Sequence, residues 1–157
     1  MTLRWDVLTS RSNRYEICRR GTVLAVWTET HRFVGQDDHT TWVCQGTSWL
    51  PADDTAGATS RYGCRGGDTV QRGTSTVIGE EPVSVGGADV AAVHIRLAVA
   101  ESGGARGPIA EERWLEPGSG LPLRITYAVT TKNASPIGDV TFSERYDMRL
   151  TSLEPRR

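Results

Sequence analysis

The sequence predicts a mainly β fold: a single antiparallel, curved sheet, half-barrel or open barrel, with little helix, in one domain over residues 1–157. Three observations predict it. Glycine and proline turn signals recur about every ten residues, the rhythm of an all-β chain. The segments between them are rich in β-branched and aromatic residues, which suit a pleated, half-buried surface. The last two segments alternate apolar and polar residues with period two, as a strand does when one face meets a core and the other meets water.

Taken in chain order, RYEICRRGTVLAVWTETHRF reads as two strands joined at Arg20-Gly21, and residues 51–57 read as a single turn. EEPVSVGGADV is a hairpin with Gly86-Gly87 at its turn. The segment ADVAAVHIRLAVA fits either periodicity. As a helix it groups Val90, Val93 and Leu97, and as a strand Val93, Ile95, Leu97 and Val99 with His94 and Arg96 opposite. Its β-branched content favours the strand. In LPLRITYAVTT, Leu121, Leu123, Ile125, Tyr127 and Val129 share a side; in DVTFSERYDMRL, Val140, Phe142, Tyr146, Met148 and Leu150 do, interrupted by Glu144. Asn133, Pro136 and Gly138 turn one into the other. The expected apolar face carries Trp114, Leu123, Ile125, Tyr127, Phe142, Tyr146 and Met148.

A formal net charge of -1 provides no field toward nucleic acid or an anionic membrane, and neither is expected as a partner. Arginine supplies almost all the positive charge, Lys132 being the single lysine, a bias in the style of a high-GC genome. No apolar run approaches the roughly 20 residues of a transmembrane helix. Residues 1–20 lack the apolar stretch of a signal peptide, so the chain is either cytosolic or exported with its signal absent from this sequence. The cysteines favour the second. Cys44 and Cys64 lie in strand-like segments separated by a turn-rich loop, and a bond between them implies an oxidising, extracytoplasmic compartment, secreted or in the cell envelope. Cys18 is then a free thiol or replaces one partner; the competing reading has three unpaired cysteines acting as small hydrophobes.

No motif for chemistry stands out, and an enzyme is not expected. Gly118-Ser119-Gly120 has the wrong spacing for a nucleophile elbow, and the glycines at 63–67 lack the lysine and following helix of a phosphate loop. His31, Asp37, Asp38 and His39 are metal-ligand types in a spacing that reads as a solvated turn, so no metal or cofactor is expected. Glu80-Glu81 and Glu111-Glu112 are neighbours on strands and point to opposite faces, so neither pair makes a two-carboxylate site by itself. The five tryptophans, Trp5, Trp27, Trp42, Trp49 and Trp114, either fill a thin β core or line an apolar concavity. On the second reading the ligand-contact residues are Trp27, Trp42, Trp114, Tyr127, Phe142 and Tyr146.

Residues GEEPVSVGGADVAAVHIRL and EERWLEPGSGLPLRITY carry a resemblance. The run Trp114-Leu115-Glu116-Pro117, then Ser119-Gly120-Leu121-Pro122-Leu123-Arg124, resembles the strand-turn-strand pattern of lipoprotein carriers of the LolA and LppX type. The chain as a whole is similar to secreted all-β proteins of actinobacterial type that share the ending GDVTFSERYDMRLTSLEP. The resemblance implies a half-barrel whose concave face accepts an apolar small molecule or lipid, without catalysis. The alternative is a structural or protein-interaction module of the cell envelope with a filled core; no particular protein partner is implied.

Overall fold

The computed structural model describes residues 2–8, 11–20, 22–33, 36–44, 51, 53–135 and 138–154, with side chains at 26, 28–30, 37, 39–44 and throughout the later ranges. The described residues form ten strands: β1 (Thr2–Leu8), β2 (Arg11–Arg20), β3 (Thr22–Phe33), β4 (Gln36–Cys44), β5 (Thr59–Gly66), β6 (Thr69–Val85), β7 (Ala88–Ser102), β8 (Ala105–Leu115), β9 (Pro122–Asn133) and β10 (Val140–Arg149). They pair antiparallel in sequence order, an unbroken meander in one sheet curled into a half-barrel, with no helix among the described residues. The two-strand reading around Arg20-Gly21 holds. So do the strand at 88–100 and the hairpins at Gly86-Gly87 and between β9 and β10. Thr55 to Ala58 closes one turn through the Ala58 amide and the Thr55 carbonyl at 2.9 Å.

Alternation divides the sheet into two faces. The inner one collects Val77, Val93, Ile95, Leu97, Ile109, Ile125 and Val129, and Trp42 of β4 joins the same cluster as Tyr127 of β9. Residues so far apart in strand order meet because strand twist accumulates until the sheet curls on itself, which makes this face the concave one. Fully buried Ile95, Leu115 and Ile125 fill its middle. The pairing of Phe142 with Thr131, Tyr146 with Tyr127 and Met148 with Ile125 gives β10 the predicted facing.

Trp114 and Leu123 depart from the expected apolar face. They belong to a second cluster with Val83, Val85 and Ala92. Plain alternation puts Trp114 there, because its neighbour Arg113 pairs with the inward Ile95 and Ile125; two irregularities bring the other members to it. Along β8 and β9, Trp114 faces Arg124 while Leu115 faces Pro122, so Leu123 is an extra residue. Along β6, Val77 faces Ile95 while Gly79 faces His94, so Ile78 is extra and the odd-numbered residues beyond it change face. A bulge shifts the alternation by one residue, and every side chain past it exchanges faces. Pro122 opens β9, a position where its missing N–H costs no ladder bond.

Among the described residues the ladder with the fewest register pairs joins β4 and β5. It has three register pairs, against eight between β5 and β6. One of the three is Cys44 opposite Cys64, whose sulfurs lie at bonding distance, 1.98 Å, as the sequence predicts. The thiol of Cys18 lies outside the described residues. The cross-link closes a separation of 20 residues. In the chain-entropy account such a loop stabilises by about 3 kcal/mol. The double variant Cys44→Ala/Cys64→Ala should therefore lose about 3 kcal/mol in denaturant unfolding, with a comparable loss when the native protein is reduced. A loss below about 0.5 kcal/mol would mean that the three-pair seam holds without the bond.

Candidate functional site

A cavity of about 720 Å³ opens on the concave face beside the β4–β5 seam. Trp42, Tyr127 and Phe142 supply its aromatic wall, and Glu29, Asp68 and Glu101 its carboxylates. Trp42 is seated by two contacts. Its Nε1 donates to Glu29 Oε2 at 3.1 Å, and its ring lies over Gly66, where a Cβ would come within 2.7 Å of it. Any larger residue at 66 would displace the indole, so this glycine serves close approach.

Polar groups continue along the inner wall. The Tyr62 hydroxyl donates to Gln71 Oε1 at 3.3 Å, and Gln71 Nε2 donates to Glu101 Oε1 at 2.8 Å. Register explains the line: Tyr62 sits opposite Gly73, and Gln71 lies between Cys64 and Glu101. Arg113 and Glu111, two apart on β8 and so on one face, pair at 2.5 Å in the interior, with the guanidinium 5.9 Å from the Tyr62 ring centre. Burial pushes the Tyr62 phenol up to about 12; the Arg113 charge pulls it back and Glu111 and Glu101 add to the rise. Burial also raises the Glu101 carboxyl above its ordinary value, the Gln71 bond opposes that, and the nearby Glu29 charge reinforces it.

Of the residues expected to contact a ligand, Trp42, Tyr127 and Phe142 come together at the cavity. Tyr146 does not line it; its ring stacks on Tyr127, with centroids 4.9 Å apart. The Trp27 side chain lies outside the described residues, although its backbone pairs with Trp42. The side chains of Trp5, His31 and Asp38, and all of Trp49, are likewise outside them. Trp114 is on the convex face. There it stacks on His94 at 4.3 Å, with the Arg124 guanidinium 4.5 Å from its centre. Its Nε1 donates to Glu81, whose Oε1 is also 3.1 Å from His94 Nδ1. Arg124 is held by Asp147 through two bonds of 3.0 and 2.8 Å. Those bonds keep the Asp147 carboxyl below its usual range.

The two Glu pairs divide between faces as expected of strand neighbours: Glu111 pairs with Arg113 inside, and Glu112 with Arg96 outside at 2.9 Å. The Glu116 to Leu121 stretch of the lipoprotein-like pattern is a turn, closed by Glu116 N to Leu121 O at 2.8 Å and Ser119 N to Glu116 Oε2 at 3.0 Å. Among the described residues no three His, Cys, Asp or Glu side chains gather as a metal site, and no helix is long and apolar enough to cross a membrane.

Sequence reasoning missed Glu29, Gln71 and Glu101. Apolar patterning passes over a polar residue that points inward. The available signal was parity: Gln71 shares a face with Val77, and Glu101 with Val99. Comparison with family models, with curated proteins and with solved structures gives no match.

The buried phenol gives a pH signature. Unfolded tyrosine ionises near pH 10, whereas Tyr62 keeps its proton to about 12. Over that interval the unfolded chain has lost a proton that the folded chain retains, so stability falls as pH rises. In denaturant unfolding from pH 9 to 12, Tyr62→Phe should flatten that fall; an unchanged slope would place the phenol in water.

Proposed function

We propose that this chain is a non-enzymatic, extracytoplasmic binding domain whose concave face takes a small ligand with an apolar body. The observation that carries the reading is the cavity of about 720 Å³ beside the disulfide, walled by Trp42, Tyr127 and Phe142. That volume lies in the range of small-molecule sites, and an aromatic wall with a few placed polar groups is their usual lining. The cross-strand cysteine pair supports the oxidising compartment. The lipoprotein-carrier likeness supports a half-barrel as the scaffold. Such carriers close the half-barrel with helices, and among the described residues β-strands and turns do all the work.

A second reading has a specific observation behind it. Ile95, Leu97, Leu115 and Ile125 are 0–2% exposed, so the middle of the concave face is filled by the chain itself. A structural or interaction module of the cell envelope has that core, and the cavity beside the seam is what separates the two readings.

The test is a titration of the purified domain with an uncharged apolar dye and a panel of small aromatic and aliphatic molecules, followed by tryptophan fluorescence and melting temperature. Binding should perturb both signals, and a ligand at 100 times its Kd adds about 2.7 kcal/mol of stability. Trp42→Phe should remove most of the fluorescence change, while Trp114→Phe keeps it. If nothing in the panel moves either signal, the filled-core module replaces the binding domain.

A further inference from the structure

We infer that the convex face of β5 and β6 docks an anionic polysaccharide, a flexible chain with carboxylate or sulfate groups at regular intervals, on three clustered arginines: Arg61, Arg65 and Arg72. The inference does not depend on what the concave cavity takes.

Register builds the cluster. Arg72 faces Gly63 across the β5–β6 ladder, and Arg61 and Arg65 lie two residues to either side of that glycine. Diagonal cross-strand neighbours are about 7–8 Å apart, within reach of long side chains. Tyr62, Cys64 and Gln71 alternate with the arginines along the strands and are buried, so the arginines stand on the outer face, where all three are exposed. Gly63 places no side chain in the space between them.

The second observation is that nothing neutralises them. Among the described residues none of the three has an ion pair or a side-chain hydrogen bond. Their other register partners are Val43, Val70, Thr74 and Ala100, none of them acidic. Carboxylates elsewhere on this face have arginines of their own: Glu112 binds Arg96 at 2.9 Å and Asp147 binds Arg124 at 2.8 Å. The acidic residues Glu29, Asp68 and Glu101 line the cavity on the other side of the sheet. A formal net charge of -1 thus conceals a division of charge between the faces. High arginine content accounts for the residue type, but not for three neighbours gathered without a carboxylate. Like charges brought together across strands cost stability, and a polyanion laid over them offsets that cost.

Shape and topology choose the occupant. β5 and β6 are each paired on both sides, so no open strand edge exists here to take an acidic peptide through its backbone. The face is convex, and a flat bilayer meets a convex ridge only along a line, whereas a flexible chain follows the curve. None of the register partners is aromatic, so the surface offers no platform for stacking a nucleic-acid base. What remains is recognition of repeated anionic groups by guanidinium forks, which match carboxylate and sulfate oxygens two at a time.

The test is a calorimetric titration of the whole chain with dextran sulfate, against neutral dextran of the same length, in about 0.1 M salt, where charges are screened over about 10 Å. Dextran sulfate should bind, neutral dextran should not, and the affinity should fall as salt rises, through counterion release. Two double variants remove the same charge from exposed positions in different places. Arg65→Gln/Arg72→Gln should weaken binding about tenfold or more and flatten the salt dependence, while Arg96→Gln/Arg149→Gln should stay within about twofold of the parent. Melting temperatures of both variants check that they fold. Absence of binding to dextran sulfate would overturn the inference, as would equal losses in the two variants, which would mean that only net charge matters. Tighter binding to polyglutamate, to phosphatidylglycerol vesicles or to single-stranded DNA than to dextran sulfate would overturn the polysaccharide as the occupant of this face.

Discussion

β4 and β5 share three register pairs, and the bond between Cys44 and Cys64 is set into one of them. Everything on the N-terminal side of the meander reaches the rest of the sheet in order through that seam. A covalent link set into that ladder limits how far the two parts separate in the unfolded chain. The same seam places Trp42 opposite Gly66, and the indole then covers the strand whose glycine leaves it room. The cavity, its tryptophan wall and the position of Glu29 thus follow from one local arrangement.

The curl of the sheet and its two bulges do the rest. A meander in sequence order has no crossover to restrain its twist, so the concave face closes toward itself and brings Tyr127 and Phe142 to the cavity that Trp42 borders. The bulge at Ile78 sends Glu81, Val83 and Val85 to the face opposite Val77, and the irregularity at Leu123 joins that residue to Trp114. The result is two packed clusters from one sheet. The second is supported by the column of His94, Trp114 and Arg124 with Asp147 behind it. That column shields Trp114 from any role on the concave face.

Much of this was legible in the sequence. The alternation of residues 140–149 gave the facing of β10 correctly, and the turn-rich loop between Cys44 and Cys64 gave their bond. The β-branched content of 88–100 decided strand over helix. The bulges were not legible in the same way, because one inserted residue leaves the local pattern intact and changes what it faces. Gly79 inside a strand was the available hint. Leu123 was misplaced for that reason, and Trp114 because the register that sets it opposite Arg124, and not Ile125, is not written in the sequence. The inward carboxylates were missed because apolar periodicity carries no information on a buried polar line; their hydrogen-bond partners, Trp42 and Gln71, come from other strands and appear once register is known.

The central claim is that the concave recess held at the β4–β5 seam takes the small ligand, and that the convex cluster around Trp114 is scaffold. The indole N–H groups of Trp42 and Trp114 distinguish the two, since one donates to Glu29 and the other to Glu81. The most direct measurement is an NMR titration of the ¹⁵N-labelled domain with the uncharged apolar dye and the small aromatic molecules, observed at the tryptophan indole resonances. The account predicts that the Trp42 resonance shifts and saturates while that of Trp114 stays in place, and that reducing the disulfide abolishes the response. A saturating shift at Trp114 with Trp42 unmoved would contradict it.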